Sequence, residues 1–456
     1  SKSTTKLLSE SVSFDDDADG ERFYSTTTVS LTGEDGESVS FADSITKSTT
    51  KLLSESVSFT DSSSKSTTIS LSEYLSLSAG GPAAPTNPVA LDAENLNSPE
   101  YLEVFTIGAK TYAIVPQPSA DRVTIYDVSN PVNISVTDSL TDSGSLALDA
   151  ATGVDTFVID DRTYAIITAG EDSGVQILDV SDPTNIVALD AETDGVNGFT
   201  QLDSPINGVE TFTVASNSTA TYAIVTDIGS EDNDYEDGGV QIIDVSNPSA
   251  IVAMDAESYH TSNFPQLRGA YAADTFMIGT STYAIVTAIG DWGEDEEISQ
   301  GVQIIDVSNP SAIVATDAFT HENLLYPGGV DTFTIGTNPY AIVTGYFADT
   351  VQIFNLIDPT DITVTDTETD GENGFDELEG AFGVNVFTVG SSTYAIVTGY
   401  DDDGVQIIDV SDPTDIIAVD SLADSGSLEL EGADGVDTFT IGLTTYAIVV
   451  SLDDDG

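Results

Sequence analysis

Gly404-Val405-Gln406-Ile407-Ile408-Asp409-Val410-Ser411-Asp412-Pro413 decides the fold, because versions of it recur along the chain at a regular place in a longer unit. In front of each version stands Tyr-Ala-Ile followed by Val or Ile, at Tyr112, Tyr164, Tyr222, Tyr283, Tyr340, Tyr394 and Tyr446, seven copies spaced 52 to 61 residues apart. Each copy follows a run such as Gly329-Val330-Asp331-Thr332-Phe333-Thr334-Ile335-Gly336, and each but the last leads on to a short apolar segment such as Ile416 to Val419. One unit therefore holds four short segments rich in Val, Ile, Thr, Phe and Tyr, separated by Gly, Asp-Pro or Asn-Pro turns. In Asp-Val-Ser-(Asp/Asn)-Pro the Asx side chain favours a turn, and Pro fixes φ while withholding a donor, so one strand ends and the next starts in reverse. Nothing in the unit reads as helix. Four antiparallel strands repeated seven times predict an all-β, seven-bladed β-propeller.

Units such as Thr163-Tyr164-Ala165-Ile166-Ile167 … Gly174-Val175-Gln176-Ile177-Leu178-Asp179-Val180-Ser181-Asp182-Pro183 resemble LVIVD repeats. The resemblance implies a propeller of the kind found in secreted and surface proteins of bacteria and archaea, and it covers about four fifths of the chain. It is specific for fold and silent on function, because propellers host enzymes, adhesins and scaffolds alike. The Ser/Thr-rich acidic style is also similar to that of surface proteins of marine archaea.

The chain has 456 residues, 78 Asp plus Glu against 10 Lys plus Arg, no Cys and two His, for a formal net charge of −68. Such a polyanion repels nucleic acid and acidic membrane surfaces. Thiol chemistry and Cys-ligated metal are excluded, and two His leave little for imidazole catalysis. Apolar residues make up 40%, enough for a core under an acidic skin. The longest apolar runs are a few residues, far below the roughly 20 that span a bilayer. The start at Ser1, without an initiator Met or an apolar leader, reads as a mature or trimmed product. Heavy Ser, Thr and Asp usage, scarce Lys and two acceptor sequons, at Asn133 and Asn217, point to an external, saline, cell-surface setting.

Charge divides the chain. Residues 1–80 hold 13 acids and 6 bases, a net −7, and the other 376 residues hold 65 acids and 4 bases, a net −61. Stability is expected to rise with salt or Ca²⁺. Residues 1–78 form a Ser/Thr-rich tail, 79–85 a Gly/Pro/Ala linker, and 86–456 the propeller.

Ring closure carries the functional expectation. Pro85-Thr86-Asn87-Pro88-Val89-Ala90-Leu91-Asp92-Ala93-Glu94 matches residues 183–192 at nine of ten positions and so reads as a fourth strand ahead of the first full unit. The C-terminal stretch supplies strand one, Val436 to Ile441, and strand two, Thr445 to Val450, then Asp453-Asp454-Asp455-Gly456. In the preceding unit Asp401-Asp402-Asp403-Gly404 leads straight into strand three. The last blade is thus expected to own strands one, two and four and to lack strand three. Its acceptor residues are Val89 and Leu91 on one side and Thr445, Tyr446, Ala447, Ile448 and Val449 on the other. Unpaired backbone at such a slot invites strand addition.

The tail offers donors. Lys2 to Phe14 is repeated identically at Lys47 to Phe59, with a looser copy at Lys65 to Leu77. Val57, Phe59, Ile69, Leu71, Leu75 and Leu77 are the apolar donor positions, several of them alternating with hydroxyl residues in the period of a half-buried strand. Donation from the next molecule makes a head-to-tail homopolymer. Donation in cis, or chain continuing past Gly456, would fill the slot equally. A tail duplicated beyond what one molecule needs favours assembly.

Candidate chemistry is sparse. Strand one carries an acid at one register, Glu103, Asp155, Glu210, Asp274, Asp331 and Asp437, with Asn385 in the sixth copy. These residues form either a channel ring for Ca²⁺ or Mg²⁺ or a repeated structural device binding backbone of the neighbouring blade. Asp15, Asp17, Asp19 and Gly20 fit the first half of a Ca²⁺ loop, but Thr26 stands where a bidentate Glu belongs. Asp232, Asp234 and Glu236 form a similar cluster in a blade loop. His260, His321 and Trp292 read as surface or interblade residues. No nucleophile–base set or phosphate loop stands out, and no cofactor is required beyond Ca²⁺ as a candidate ion. The expectation is a non-enzymatic structural or adhesive filament subunit. The alternatives are a monomeric propeller that binds a carbohydrate or protein, and a Ca²⁺-dependent enzyme acting on polysaccharide.

Overall fold

A computed structural model describes the backbone of residues 6–15, 22–32, 38–42, 55–60 and 66–71, together with Leu96 and residues 98–205, 208–230, 235–261, 263–290, 300–424 and 430–452. The chain divides into two compact units, Ser1–Pro82 and Ala83–Gly456. In the first, Lys6–Asp15, Arg22–Thr32 and Ser38–Ala42 form an antiparallel sheet. Glu55–Thr60 and Ser66–Leu71 pair as a separate hairpin, with Val57 opposite Ile69.

In the second unit the repeat becomes a ring of sheets. Six four-stranded antiparallel blades occupy residues 103–141, 151–193, 209–258, 270–319, 330–369 and 381–423, each with its strands in chain order from the channel outwards. A two-stranded sheet, Ala433–Ile441 paired with Thr444–Ser451, follows them and is called the closing hairpin below. Arithmetic predicts seven four-stranded blades; the described residues contain six, because only two strands are present in the last position. The strand expected at Val89 and Leu91 lies outside the described residues. Two single-turn 3₁₀ segments, Pro118–Ala120 and Glu322–Leu324, are the helical residues described.

Blade six shows how sequence writes the sheet. In Ser392–Gly399, Ala395 and Val397 turn towards blade five and join Phe333, Ile342, Val351 and Ile353 in one core. Strand two is buried on both faces, which is why Tyr-Ala-Ile-Val is an unbroken apolar run rather than an alternating one. Its Tyr lies against the Phe of strand one in every copy, stacked as in Phe387 on Tyr394 at 5.8 Å and Phe439 on Tyr446 at 5.5 Å, and tilted in Phe212 on Tyr222. In the turn after strand three, Asp409 Oδ1 accepts from the Ser411 backbone N–H at 2.9 Å, and Ser411 Oγ accepts from the Thr393 N–H at 3.0 Å. The next Asx repeats the device: Asp412 Oδ1 accepts from the Thr414 N–H and hydroxyl. These bonds explain why Asp-x-Ser-Asx-Pro-Thr is a unit.

The closing hairpin joins blade one. Phe439 and Val450 pack with Leu102, Ala113, Val115 and Val128, and Asp437 Oδ2 accepts from the Val104 N–H at 2.8 Å, a bond between residues 333 apart in sequence.

Candidate functional site

The strand-one acids resolve as a structural device. Asp155 Oδ2 accepts from the backbone N–H of Thr211 in the next blade at 2.6 Å, and its Oδ1 from Thr156. Asp274 accepts in the same way from Thr332 at 2.6 Å, Asp331 from Val386 at 2.5 Å, and Asp437 from Val104. Asn385 accepts from the Thr438 hydroxyl at 2.7 Å, and Glu103 from Thr156. Six of the seven register positions thus staple their blade to the following one; Glu210 is the exception, held among the neighbouring carboxyls with burial as its main influence. Burial drives these carboxyls upward against the hydrogen bonds: Asp155 and Asp437 to about 6, and Glu103, Glu210 and Asp331 well above their usual range, with neighbouring ring carboxylates adding to the rise. Among the described residues no group of three or more His, Asp or Glu is arranged to hold a metal ion.

Sequence reasoning missed three further staples. On strand four, Asp138, Asp190, Asp255, Asp317 and Asp366 accept from the N–H of Ile186, Ile251, Ile313, Ile362 and Ile416 in the following blade at 2.7 to 2.8 Å. The Gln of Gly-Val-Gln-Ile is fully buried: Gln406 Nε2 donates to the Asp420 carbonyl, and its Oε1 accepts from the Asp376 N–H. At the channel side, Thr398 Oγ1 donates to the Asp434 carbonyl at 2.6 Å and accepts from the Gly383 N–H at 2.7 Å. Thr344 does the same with Phe382 and Gly329. Thr398→Val leaves two buried groups without partners, so urea denaturation is expected to show a loss of about 1–3 kcal/mol. An unchanged midpoint would show that the hydroxyl is not a staple.

The other sequence candidates scatter. Asp15 ends the first tail strand, and Asp17, Asp19, Asp232, Asp234 and Trp292 lie outside the described residues. Glu236 is exposed, 4.0 Å from His260. His321 stacks on Phe319 and caps a 3₁₀ turn through Nδ1. Asn133 and Asn217 are both exposed, one in a turn and one at a strand start. Of the donor positions, Val57 and Phe59 lie in one tail strand and Ile69 and Leu71 in its partner, whereas Leu75 and Leu77 fall outside the described residues.

The acceptor residues Thr445, Tyr446, Ala447, Ile448 and Val449 lie on the outer strand of the closing hairpin. Ala113, Ala165, Ala223, Ala284, Ala341 and Ala395 hold the same register in the six complete blades and are all 0% exposed; Ala447 is exposed. The facing residues of blade six report the same lack of cover: Val405 and Ile407 keep 4% and 6% exposure, where Val351 and Ile353 in blade five keep none.

A cavity of about 90 Å³ occupies the channel. Its wall includes Tyr101, Ala272, Gly383 and Gly435, just ahead of the acid register, at the end of the channel where the first strands begin. The residues immediately before these four in the chain are Glu100, Tyr271, Phe382 and Asp434; Tyr271 and Phe382 are buried in one apolar cluster with Ile228 and Ile289.

Known proteins match at the level of repeat and fold. The LVIVD repeat model matches residues 235–261, 298–319 and 392–424. No curated protein sequence matches the chain. Among solved structures, a hypothetical selenium-binding protein from Sulfolobus tokodaii is similar over 71% of this chain and 80% of its own, at 10% identity and TM-score 0.50. The periplasmic gluconolactonase of Pseudomonas aeruginosa aligns over 73% and 85%, at 12% identity and TM-score 0.46. A Bombyx mori β-fructofuranosidase of glycoside hydrolase family 32 aligns over 71% and 79%, at 9% identity and TM-score 0.38. The presence of enzymes among these propellers overturns the sequence-based expectation that the chain is not an enzyme. At such identities the likeness is one of fold, and no reaction is carried over. With its repeated Tyr-Ala-Ile-Val and Gly-Val-Gln-Ile strands folded into a ring of four-stranded blades, the chain is a β-propeller that carries LVIVD repeats at residues 235–261, 298–319 and 392–424.

Proposed function

We propose that the protein is an extracellular structural or adhesive subunit that assembles head-to-tail, the closing hairpin of one copy accepting a strand from the Ser/Thr-rich N-terminal segment of the next and so completing a seventh blade. The exposure of Ala447, at a register buried in every complete blade, carries this reading. A sheet edge of this kind presents a row of backbone donors and acceptors to any extended segment of fitting pattern. The pattern required is that of strand three, where Val405 and Ile407 are two residues apart and point to the same side. Val57 and Phe59 have this spacing, as do Ile69 and Leu71. Donation exchanges the Val57–Ile69 pairing of the tail hairpin for pairing along Thr444–Ser451. That exchange is inexpensive, because a two-stranded hairpin is marginal by itself in water.

Electron microscopy and sedimentation of the full chain and of residues 79–456, both in saline buffer, test the proposal. Fibres that vanish on deletion of 1–78 are the expected result. Discrete discs from both chains, or fibres that persist after the deletion, would overturn it.

A further inference from the structure

The mouth of the channel holds a feature that neither the staples nor strand addition uses. Four aromatic side chains from blades four to six close a ring of contacts there. Tyr271 meets Tyr326 at 5.8 Å and Phe382 at 5.8 Å, and Tyr346 meets Tyr326 at 5.7 Å and Phe382 at 5.9 Å. The interplanar angles run from 57° to 86°, so the rings stand as walls and edges rather than as one flat platform. Gly328 makes room for this, since a Cβ there would come within 2.8 Å of the Phe382 ring.

Two acidic residues lie next to one another at this end, Asp434 on the closing hairpin and Glu100 just ahead of blade one: a Cβ at Gly435 would come within 2.5 Å of the Glu100 carbonyl oxygen. Asp434 is only 5% exposed, and its Oδ1 has no hydrogen-bond partner. Burial pushes up the hydroxyls of Tyr101, Tyr271, Tyr326 and Tyr346, and the nearby Asp434 carboxyl adds to the rise of each. Burial raises Glu100 to about 7, and burial together with the Glu100 charge raises Asp434 well above the usual range. A buried carboxyl oxygen without a partner costs on the order of 1–3 kcal/mol, and burial without a counter-charge disfavours the ionised form of both acids. The retained pair therefore asks for a ligand that supplies both positive charge and hydrogen-bond donors.

We infer that this mouth binds an organic cation, an alkylammonium group whose N–H donors reach Asp434 and Glu100 while its charge lies against the tyrosine faces. Tyrosine walls attract cations through their ring quadrupole. The cavity beneath, about 90 Å³ and lined largely by Val, Ala and Gly, offers an aliphatic stem a place to sit below the ammonium head. The overall charge of −68 steers cations towards any such opening.

Isothermal titration calorimetry of the full chain in 0.15 M NaCl tests this, with butylammonium chloride as probe and n-butanol, CaCl₂ and methyl glucoside as comparisons. Saturable 1:1 binding of butylammonium is expected, at least tenfold tighter than n-butanol. Asp434→Asn is expected to weaken it at least tenfold, and Asp412→Asn, an acid in an outer turn, to leave it unchanged. Tyr326→Phe, which keeps the ring face, is expected to retain binding that Tyr326→Leu reduces. Equal binding of butanol, binding of Ca²⁺ or glucoside in place of butylammonium, or butylammonium binding indifferent to Asp434 would each overturn the inference. The comparison between probes on the unmodified chain decides the question even if a variant fails to fold.

Discussion

Ala395→Arg is expected to unfold the propeller, and Ala447→Arg, at the same register one sheet later, to leave its melting temperature within about 1–2 °C. The first substitution forces a guanidinium into a packed interface between blades five and six with no partner, a cost above about 4 kcal/mol. The second places it at an exposed position, where changes are usually within about 0.5 kcal/mol. Ala447→Arg is nevertheless expected to abolish fibre formation, because the charge sits where an incoming strand would have to pack. Circular dichroism melts read the first effect and electron microscopy the second. Equal destabilisation by both variants would mean that the outer face of the closing hairpin is already covered, and strand addition there would fail as an explanation.

Acidification is expected to stabilise the protein. In the unfolded chain an Asp carboxyl ionises near 3.8, whereas burial holds Asp155, Asp437 and Asp227 protonated up to about 6 and raises Asp274 and Asp331 as well. Between these limits the folded state binds more protons than the unfolded state, so stability falls as pH climbs through the window, and it falls further above about 6 as the carboxyls raised beyond that value, Asp331, Glu103 and Glu210, are forced to ionise. The opposite group, Asp182, Asp358 and Asp412, is held low by Thr hydrogen bonds and loses its contribution only as pH drops below 3.8. The melting temperature at pH 5 should therefore exceed that at pH 7.5 by roughly 5 °C or more. Adding 1 M NaCl at pH 7.5 recovers part of the difference by screening the surface acids, and little of the part that belongs to the buried ring. A melting temperature that is flat or rising from pH 5 to 7.5 would refute this account of the ring.

Strands and turns were legible because each is written locally and repeated. Asp-Val-Ser-Asx-Pro announces its own hydrogen bonds, and Tyr-Ala-Ile-Val announces burial on both faces. The strand-one acids were visible as a register, but whether they bind metal or backbone depends on the distance to the next blade, which sequence does not encode. The strand-four staples, such as Asp190 to Ile251, were lost among 78 acids because nothing in their own segment marks them. The mouth was invisible for a different reason: it exists only where several copies of one position converge. A signal was present nonetheless. Three residues before the acid register the copies read Glu100, Thr152, Asn207, Tyr271, Gly328, Phe382 and Asp434, a position that varies widely inside an otherwise monotonous repeat. In a repeat protein such variation marks a place where the fold makes no demand and a ligand can.

The bond from Asp437 to Val104 has one more implication. It fastens the two ends of the second unit, and forming it means closing a circuit of more than three hundred residues, the largest loop-closure cost in the ring. Neighbouring blades meet across far shorter stretches of chain, so the clasp is the natural place for the molecule to unbuckle. Under tension or dilute denaturant the disc would open there into a horseshoe while its six complete sheets stay stacked.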